Sequence, residues 1–195
     1  MGTRTKWLAF GLMVVFQLAL PGWMIIGHER VLQQGEVYLF RTAPIDPRDP
    51  FRGEYVQLDF EAETGNWSLP GAASSNYQEN VAYGLLERDA DGYARISRLQ
   101  GTRPTEGTFI KVKFMTWGND DVQRVSLPFD RFYLEEGDGA TTEKMLQPQW
   151  DNDTLVQPLP AHAVVRVLNG EAVIEDLVVG GKSIQVWLKE VPTVK

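Results

Sequence analysis

Residues 46–60 read DPRDPFRGEYVQLDF: two Asp-Pro pairs, two arginines, then a glycine that opens a run alternating between polar and apolar side chains. Each proline fixes its own φ and biases the aspartate before it away from helix, so the first half is extended or turned and is not a central strand. Gly53 permits a bend, and a strand begins after it. Along that strand Glu54, Val56, Leu58 and Phe60 share one face, and Tyr55, Gln57 and Asp59 share the other. The apolar set predicts a core face. Glu54 heads it, so it sits at the rim or pairs with Arg48 or Arg52. A period of two beside a proline-set corner is the grammar of an antiparallel β-fold.

The same grammar recurs along the chain. Strand-like segments, rich in β-branched and aromatic residues, occupy residues 36–41, 54–60, 81–87, 93–99, 108–117, 123–127, 131–134, 163–168, 172–179 and 183–188. Between them, Asp89-Ala90-Asp91-Gly92 and Leu168-Asn169-Gly170-Glu171 carry hairpin chemistry. Residues 66–80, NWSLPGAASSNYQEN, read as a polar loop. Residues 137–147, GDGATTEKMLQ, predict a short helix across a strand connection.

Ahead of the β pattern, residues 7–27, WLAFGLMVVFQLALPGWMIIG, carry no charge. At about 1.5 Å per residue the run spans a hydrocarbon core of about 30 Å. A cleaved signal peptide needs small residues one and three before the cut, but Ala19 is preceded two back by Gln17, Gly22 by Leu20 and Gly27 by Ile25. An uncleaved anchor is favoured. Arg4 and Lys6 precede the run and His28-Glu29-Arg30 follow it, so the positive-inside rule puts residues 1–6 in the cytoplasm and 28–195 outside.

Composition removes whole classes of function. A formal net charge of -7 with scattered Lys and Arg gives no basic patch for nucleic acid. The absence of cysteine rules out disulfides, thiolate catalysis and thiolate metal sites. Only His28 and His162 offer imidazole, and no Asp/Glu/Asn run has calcium-loop spacing. Gly181-Lys182-Ser183 mimics the end of a phosphate loop, but Asp176 stands where that motif requires glycine, so the stretch reads as a Gly-Gly turn between strands. There is no G-x-S-x-G elbow for a nucleophilic serine. No catalytic set, metal site or cofactor is expected. Candidate binding residues are Asp46, Arg48, Asp49, Arg52, Glu54 and Tyr55 in the opening stretch, with Arg131 and Glu135 in the later RFYLEE cluster at 131–136.

At these residues the sequence resembles the bacterial GDYXXLXY family. The resemblance rests on GEYVQLDF at 53–60 with its lead-in PIDPRDPFR at 44–52. It extends through RFYLEE at 131–136, the NGEA hairpin at 169–172 and Gly180-Gly181. It covers residues 30–181 and implies membrane attachment, often with the domain borne by or encoded near a multi-spanning membrane protein; it implies no established activity. Two departures matter. The family's Asp is Glu54 here, a displacement of about 1 Å that a tightly held ligand or catalytic carboxylate seldom tolerates. The family's last Tyr is Phe60, so a phenol there is not required and packing is its expected role.

The anchor and the Arg-Gly-acid strand are also similar to the β-domain of type I signal peptidases. Arg95, however, stands where that family's catalytic lysine is expected, and no Ser-x-Met-x-Pro segment follows the anchor. Arginine stays protonated and is no general base.

The expectation is therefore a mainly β protein. A single N-terminal transmembrane helix at residues 7–27 precedes an extracytoplasmic antiparallel domain with one short helix. It sits in the bacterial inner membrane with that domain in the periplasm, touches lipid through residues 7–27 and binds a multi-spanning membrane protein. The alternative is an envelope hydrolase using Glu54 with Glu135 or Asp46, which would bring those carboxylates within about 5 to 10 Å of one another.

Overall fold

A computed structural model describes residues 2–43, 55–69, 80–114, 121–135, 138, 142, 145–146, 149–151, 154–156 and 158–190. Helix α1 (Thr3–Gln34) includes the apolar run and contains Pro21. From Lys6 to Gln34 it is long and apolar enough to cross a membrane, with its side chains exposed along the span. Its C-terminal end packs on the rest of the molecule, where Val31 is 2% exposed. Gly35 then separates α1 from strand β1 (Glu36–Ala43) with a single residue. A Cβ at Gly35 would lie 2.4 Å from the Val31 carbonyl oxygen and 3.1 Å from the backbone nitrogen of Val167, so close approach, and not an unusual φ, demands glycine here.

Among the described residues there are fourteen strands, β1 included, and every ladder between them is antiparallel. After β1 come β2 (Tyr55–Gln57), β3 (Asp59–Phe60), a 3-10 turn (Glu61–Glu63), β4 (Thr64–Ser68), β5 (Asn80–Arg88), β6 (Ala94–Gln100), β7 (Phe109–Phe114) and β8 (Asp121–Ser126). Next are β9 (Arg131–Tyr133), β10 (Gln149–Asp151), β11 (Thr154–Val156), β12 (Ala161–Leu168), β13 (Glu171–Val179) and β14 (Lys182–Ser183), closed by helix α2 (Ile184–Glu190). One five-stranded sheet has the order β14-β13-β12-β1-β3 and the other β4-β8-β7-β5-β6, with two-stranded ribbons β2-β9 and β10-β11. Parallel bridges from Leu39 to Tyr93 and from Ile110 to Gly170 stitch the large sheets together. One core fills the space between them, and among the described residues Phe40, Leu58, Ile110, Leu177 and Ile184 are its largest sealed side chains. The fold class is the expected one: a mainly antiparallel β domain behind a long apolar N-terminal helix, with a short helix at its C-terminal end.

Several expectations meet the structure directly. Val56, Leu58 and Phe60 are all buried, as the alternation requires. Yet residues 54–60 are not one uninterrupted strand. Leu58 donates its N–H to the Asp130 carbonyl at 2.7 Å, β2 pairs with β9, and β3 pairs with β1. The chain changes partners at Leu58, and that is what turns it from ribbon to sheet. Both hairpins are as read: Leu168 pairs with Glu171 across Asn169 (φ 55) and Gly170 (φ 93), the two positive angles that a tight primed turn needs. The Asp89 side chain accepts the N–H groups of Asp91 and Tyr93.

Two segments differ. Residues 183–188 were expected to form a strand, but only Lys182–Ser183 pair and the rest is α2. Ile184, Trp187 and Leu188 pack inward at spacing i, i+3, i+4, and Trp187 Nε1 donates to the Val179 carbonyl at 2.8 Å. The expected polar loop at 66–80 begins inside β4, where Trp67 is buried and its indole N–H donates to the Ile96 carbonyl. The short helix expected within 137–147 is as read: the described residues Thr142, Met145 and Leu146 are helical, and Thr142 closes a helical turn by donating to the Asp138 carbonyl.

Candidate binding surface

The signature segment places its side chains by pleat alone. Because Val56, Leu58 and Phe60 point into the core, Tyr55 points away from it. In the β2-β9 ribbon Tyr55 sits opposite Tyr133, with ring centroids 5.9 Å apart, and Gln57 sits opposite Arg131. The Arg131 guanidinium lies 5.0 Å from the centre of the Tyr55 ring, a cation–π distance. The Asp130 carboxylate, 3.6 Å away, and then a hydrogen bond with Tyr133 push Arg131 further toward its charged form. Tyr133 is 72% exposed. Two tyrosines and an arginine thus form an outward face on the strand whose other face is core.

Tyr133 also begins a cleft of about 570 Å³. Leu134, Glu135 and Asp138 continue one wall, and Gln185 and Lys189 of α2 supply the other. Of the residues singled out in the sequence, Tyr55 and Arg131 are therefore in contact, and Glu135 is joined to them through Tyr133. Asp46, Arg48, Asp49, Arg52 and Glu54 lie outside the described residues, so the carboxylates of a hydrolytic reading, Glu54 and Asp46, have no measured separation. Among the described residues no three His, Asp or Glu side chains gather where a metal ion would be held.

A second polar cluster carried no local sequence signal. Arg41, at the end of β1, donates to Asp91 at 2.7 Å and lies 3.7 Å from both Asp89 and Glu61. Its guanidinium stacks 4.2 Å from the Tyr93 ring centre, and the Tyr93 ring meets His162 edge-on at 5.5 Å. His162 sits opposite Arg41 in the β1-β12 ladder. Burial lowers the His162 pKa, outweighing the opposite pull of Asp176, and so favours the neutral imidazole. Arg41 and Asp91 are 50 residues apart, and the Leu39–Tyr93 bridge brings β1 beside the turn that carries Asp91. The cluster borders a cleft of about 400 Å³ behind Trp67 and Arg95.

Glu63 is the buried carboxylate of this region, 7% exposed. It follows the signature strand and accepts the Leu127 N–H at 2.9 Å, while Arg124 lies 3.7 Å away. Burial pushes its carboxyl pKa up, against the opposing pull of the Leu127 and Phe60 N–H groups and of Arg124. A carboxyl whose folded pKa exceeds its unfolded value is favoured by folding in its protonated form. Its contribution is complete below the ordinary value of 4.5 and is lost as pH rises through the folded value. Glu63→Gln keeps an oxygen for Leu127 and removes that dependence, so melting curves between pH 4 and 7 should vary less with pH than those of the parent. Glu63→Ala leaves the Leu127 N–H unpaired and should cost about 1–3 kcal/mol. A Glu63→Gln protein with the parent's pH slope would show that the carboxyl does not titrate differently on folding.

No curated protein and no solved structure matches the chain. A family model described as GDYXXLXY protein matches residues 17–177, taking in the second half of α1, the signature ribbon, the Asn169-Gly170 hairpin and both large sheets short of β14 and the end of β13. The chain belongs to the GDYXXLXY family.

Proposed function

We propose that this protein is a membrane-anchored binding module. α1 holds it in the bacterial inner membrane, the β domain lies on the extracytoplasmic side, and the partner is a multi-spanning membrane protein. The observation that carries this reading is the aromatic and arginine face of the signature ribbon. Tyr55, Arg131 and Tyr133 present large, partly rigid side chains outward, the composition that dominates binding energy at protein interfaces. The exposed apolar length of α1 supports attachment, and the basic residues Arg4 and Lys6 ahead of it support the orientation.

A photo-crosslinking side chain placed at Gln57, exposed on the ribbon beside this face, should capture a multi-spanning membrane protein from cells expressing the full chain. Replacing Tyr55, Arg131 and Tyr133 with serine, without loss of the domain's circular dichroism, should reduce that product at least tenfold (~1.4 kcal/mol,). Undiminished capture by the folded triple variant would refute the ribbon as the contact surface.

A further inference from the structure

Gln17 stands at the middle of the uncharged run of α1, with ten residues of that run on either side. With residues 7–27 filling a hydrocarbon core of about 30 Å, its carboxamide lies about 15 Å from either edge, where no water reaches it. The side chain is exposed and has no hydrogen-bond partner among the described residues. Four residues on, Pro21 has no N–H, so it withholds from the Gln17 carbonyl the bond that position i+4 supplies elsewhere in an α-helix. One residue at the bilayer midplane therefore presents two amide N–H donors, a carboxamide oxygen and a main-chain carbonyl, and hydrocarbon satisfies none of them.

We propose that Gln17 docks α1 against one transmembrane helix of the partner, a helix that carries a hydroxyl or carboxamide side chain at the same depth. This inference rests on the reading of the protein as an anchored module for a multi-spanning membrane protein. Two observations choose that occupant. The first is hydrogen-bond chemistry: a serine, threonine, asparagine or glutamine both accepts from the amide and donates to an oxygen of Gln17, whereas lipid tails do neither. The second is azimuth. Gln17, Met24 and Val31 are spaced by sevens and so lie along one stripe of the helix. Val31 is buried where α1 packs on β12 and β13, and Met24 lines a cleft of about 560 Å³ beside that contact. Gln17 thus looks to the side over which the β domain stands. A second copy, parallel on that stripe at about 8–10 Å, would have to run its own residues 28–34 through the space that the β12-β13 hairpin fills. An antiparallel copy is excluded because every copy has the same basic start ahead of its run. A helix of a multi-spanning protein meets neither obstacle, since it can end at the membrane surface below the domain.

A photo-crosslinking side chain at Met24, on the Gln17 stripe, should link the full chain in cells to the same multi-spanning protein that Gln57 captures, at a transmembrane peptide bearing such a polar side chain. Placed at Val15, on the opposite face, it should link to lipid alone. Gln17→Leu, which keeps the span apolar and so keeps insertion, should lower the Met24 product roughly fivefold, about 1 kcal/mol. Val15→Leu should leave that product unchanged. A Met24 adduct with a second copy of this chain, equal products from the two faces, or an undiminished product in the Gln17→Leu protein would each overturn the proposal. Gln57 separates the two levels. A partner captured at Gln57 and not at Met24 refutes only the helix contact, whereas no partner at either position refutes the membrane-protein reading itself.

Discussion

Replacing Phe40 with alanine should destabilise the domain by about 3–5 kcal/mol, the largest single-residue loss expected in this fold. Phe40 is 0% exposed and lies where β1 crosses the signature strand. Its ring meets Phe60 at 5.9 Å and Phe129 at 5.2 Å, and those two rings meet each other at 5.2 Å, all three pairs edge-to-face. Truncation removes the buried area, two aromatic contacts worth about 0.5–1.5 kcal/mol each, and any prospect of easy collapse, because Phe60 is held by β3 and Phe129 by the β8-β9 connection. Against a typical total of about 5–15 kcal/mol, the loss takes a large share of stability. Denaturant unfolding of the detergent-solubilised chain measures it. A Phe40→Ala protein within about 1 kcal/mol of the parent would mean that the three rings do not form the keystone described here.

Gly170→Val is the second large effect, expected at roughly 2–5 kcal/mol. Gly170 has φ 93, where a β-branched residue is strained, and a Cβ there would lie 2.8 Å from the Phe109 ring. The same residue bridges to Ile110 and accepts the Lys111 N–H at 3.0 Å, so displacing it loosens one of the two stitches between the sheets. Gly181→Ala is the informative control, since Gly181 also has a positive φ but open space around it. It isolates backbone strain from steric conflict. If both substitutions cost the same, the Phe109 contact is not what makes glycine necessary at position 170.

The legible parts of the fold were those governed by neighbours in sequence. Alternation placed Val56, Leu58 and Phe60 inside before any partner strand was known, and the Asn169-Gly170 pair announced its hairpin through the φ values it tolerates. Residues 183–188 misled because Ile184, Val186 and Leu188 alternate like a strand while Ile184, Trp187 and Leu188 also repeat like a helix. The Val179 carbonyl, reached by Trp187, settles the matter from outside the segment. Trp67 sat in a stretch of small polar residues, and its burial depends on a carbonyl 29 residues away. On the candidate surface, Tyr55 and Arg131 were named from a signature, but their contact comes from the β2-β9 register. Tyr133, the most exposed of the three, was missed. A tyrosine at that position differs from a core tyrosine only in pleat parity, and parity in a three-residue strand is too short a pattern to read alone.

The single glycine between α1 and β1 gives the molecule a mechanical character. With Val31 seated on the domain and no slack at Gly35, the β domain is keyed to the helix as a blade is keyed to a shaft. Each residue added to the apolar run between Gly11 and Gly22 would turn the domain by about 100° against the N-terminal half of the helix and advance it by about 1.5 Å. The azimuth of the Tyr55 face about the helix axis is therefore written in helical phase, many residues before the signature begins.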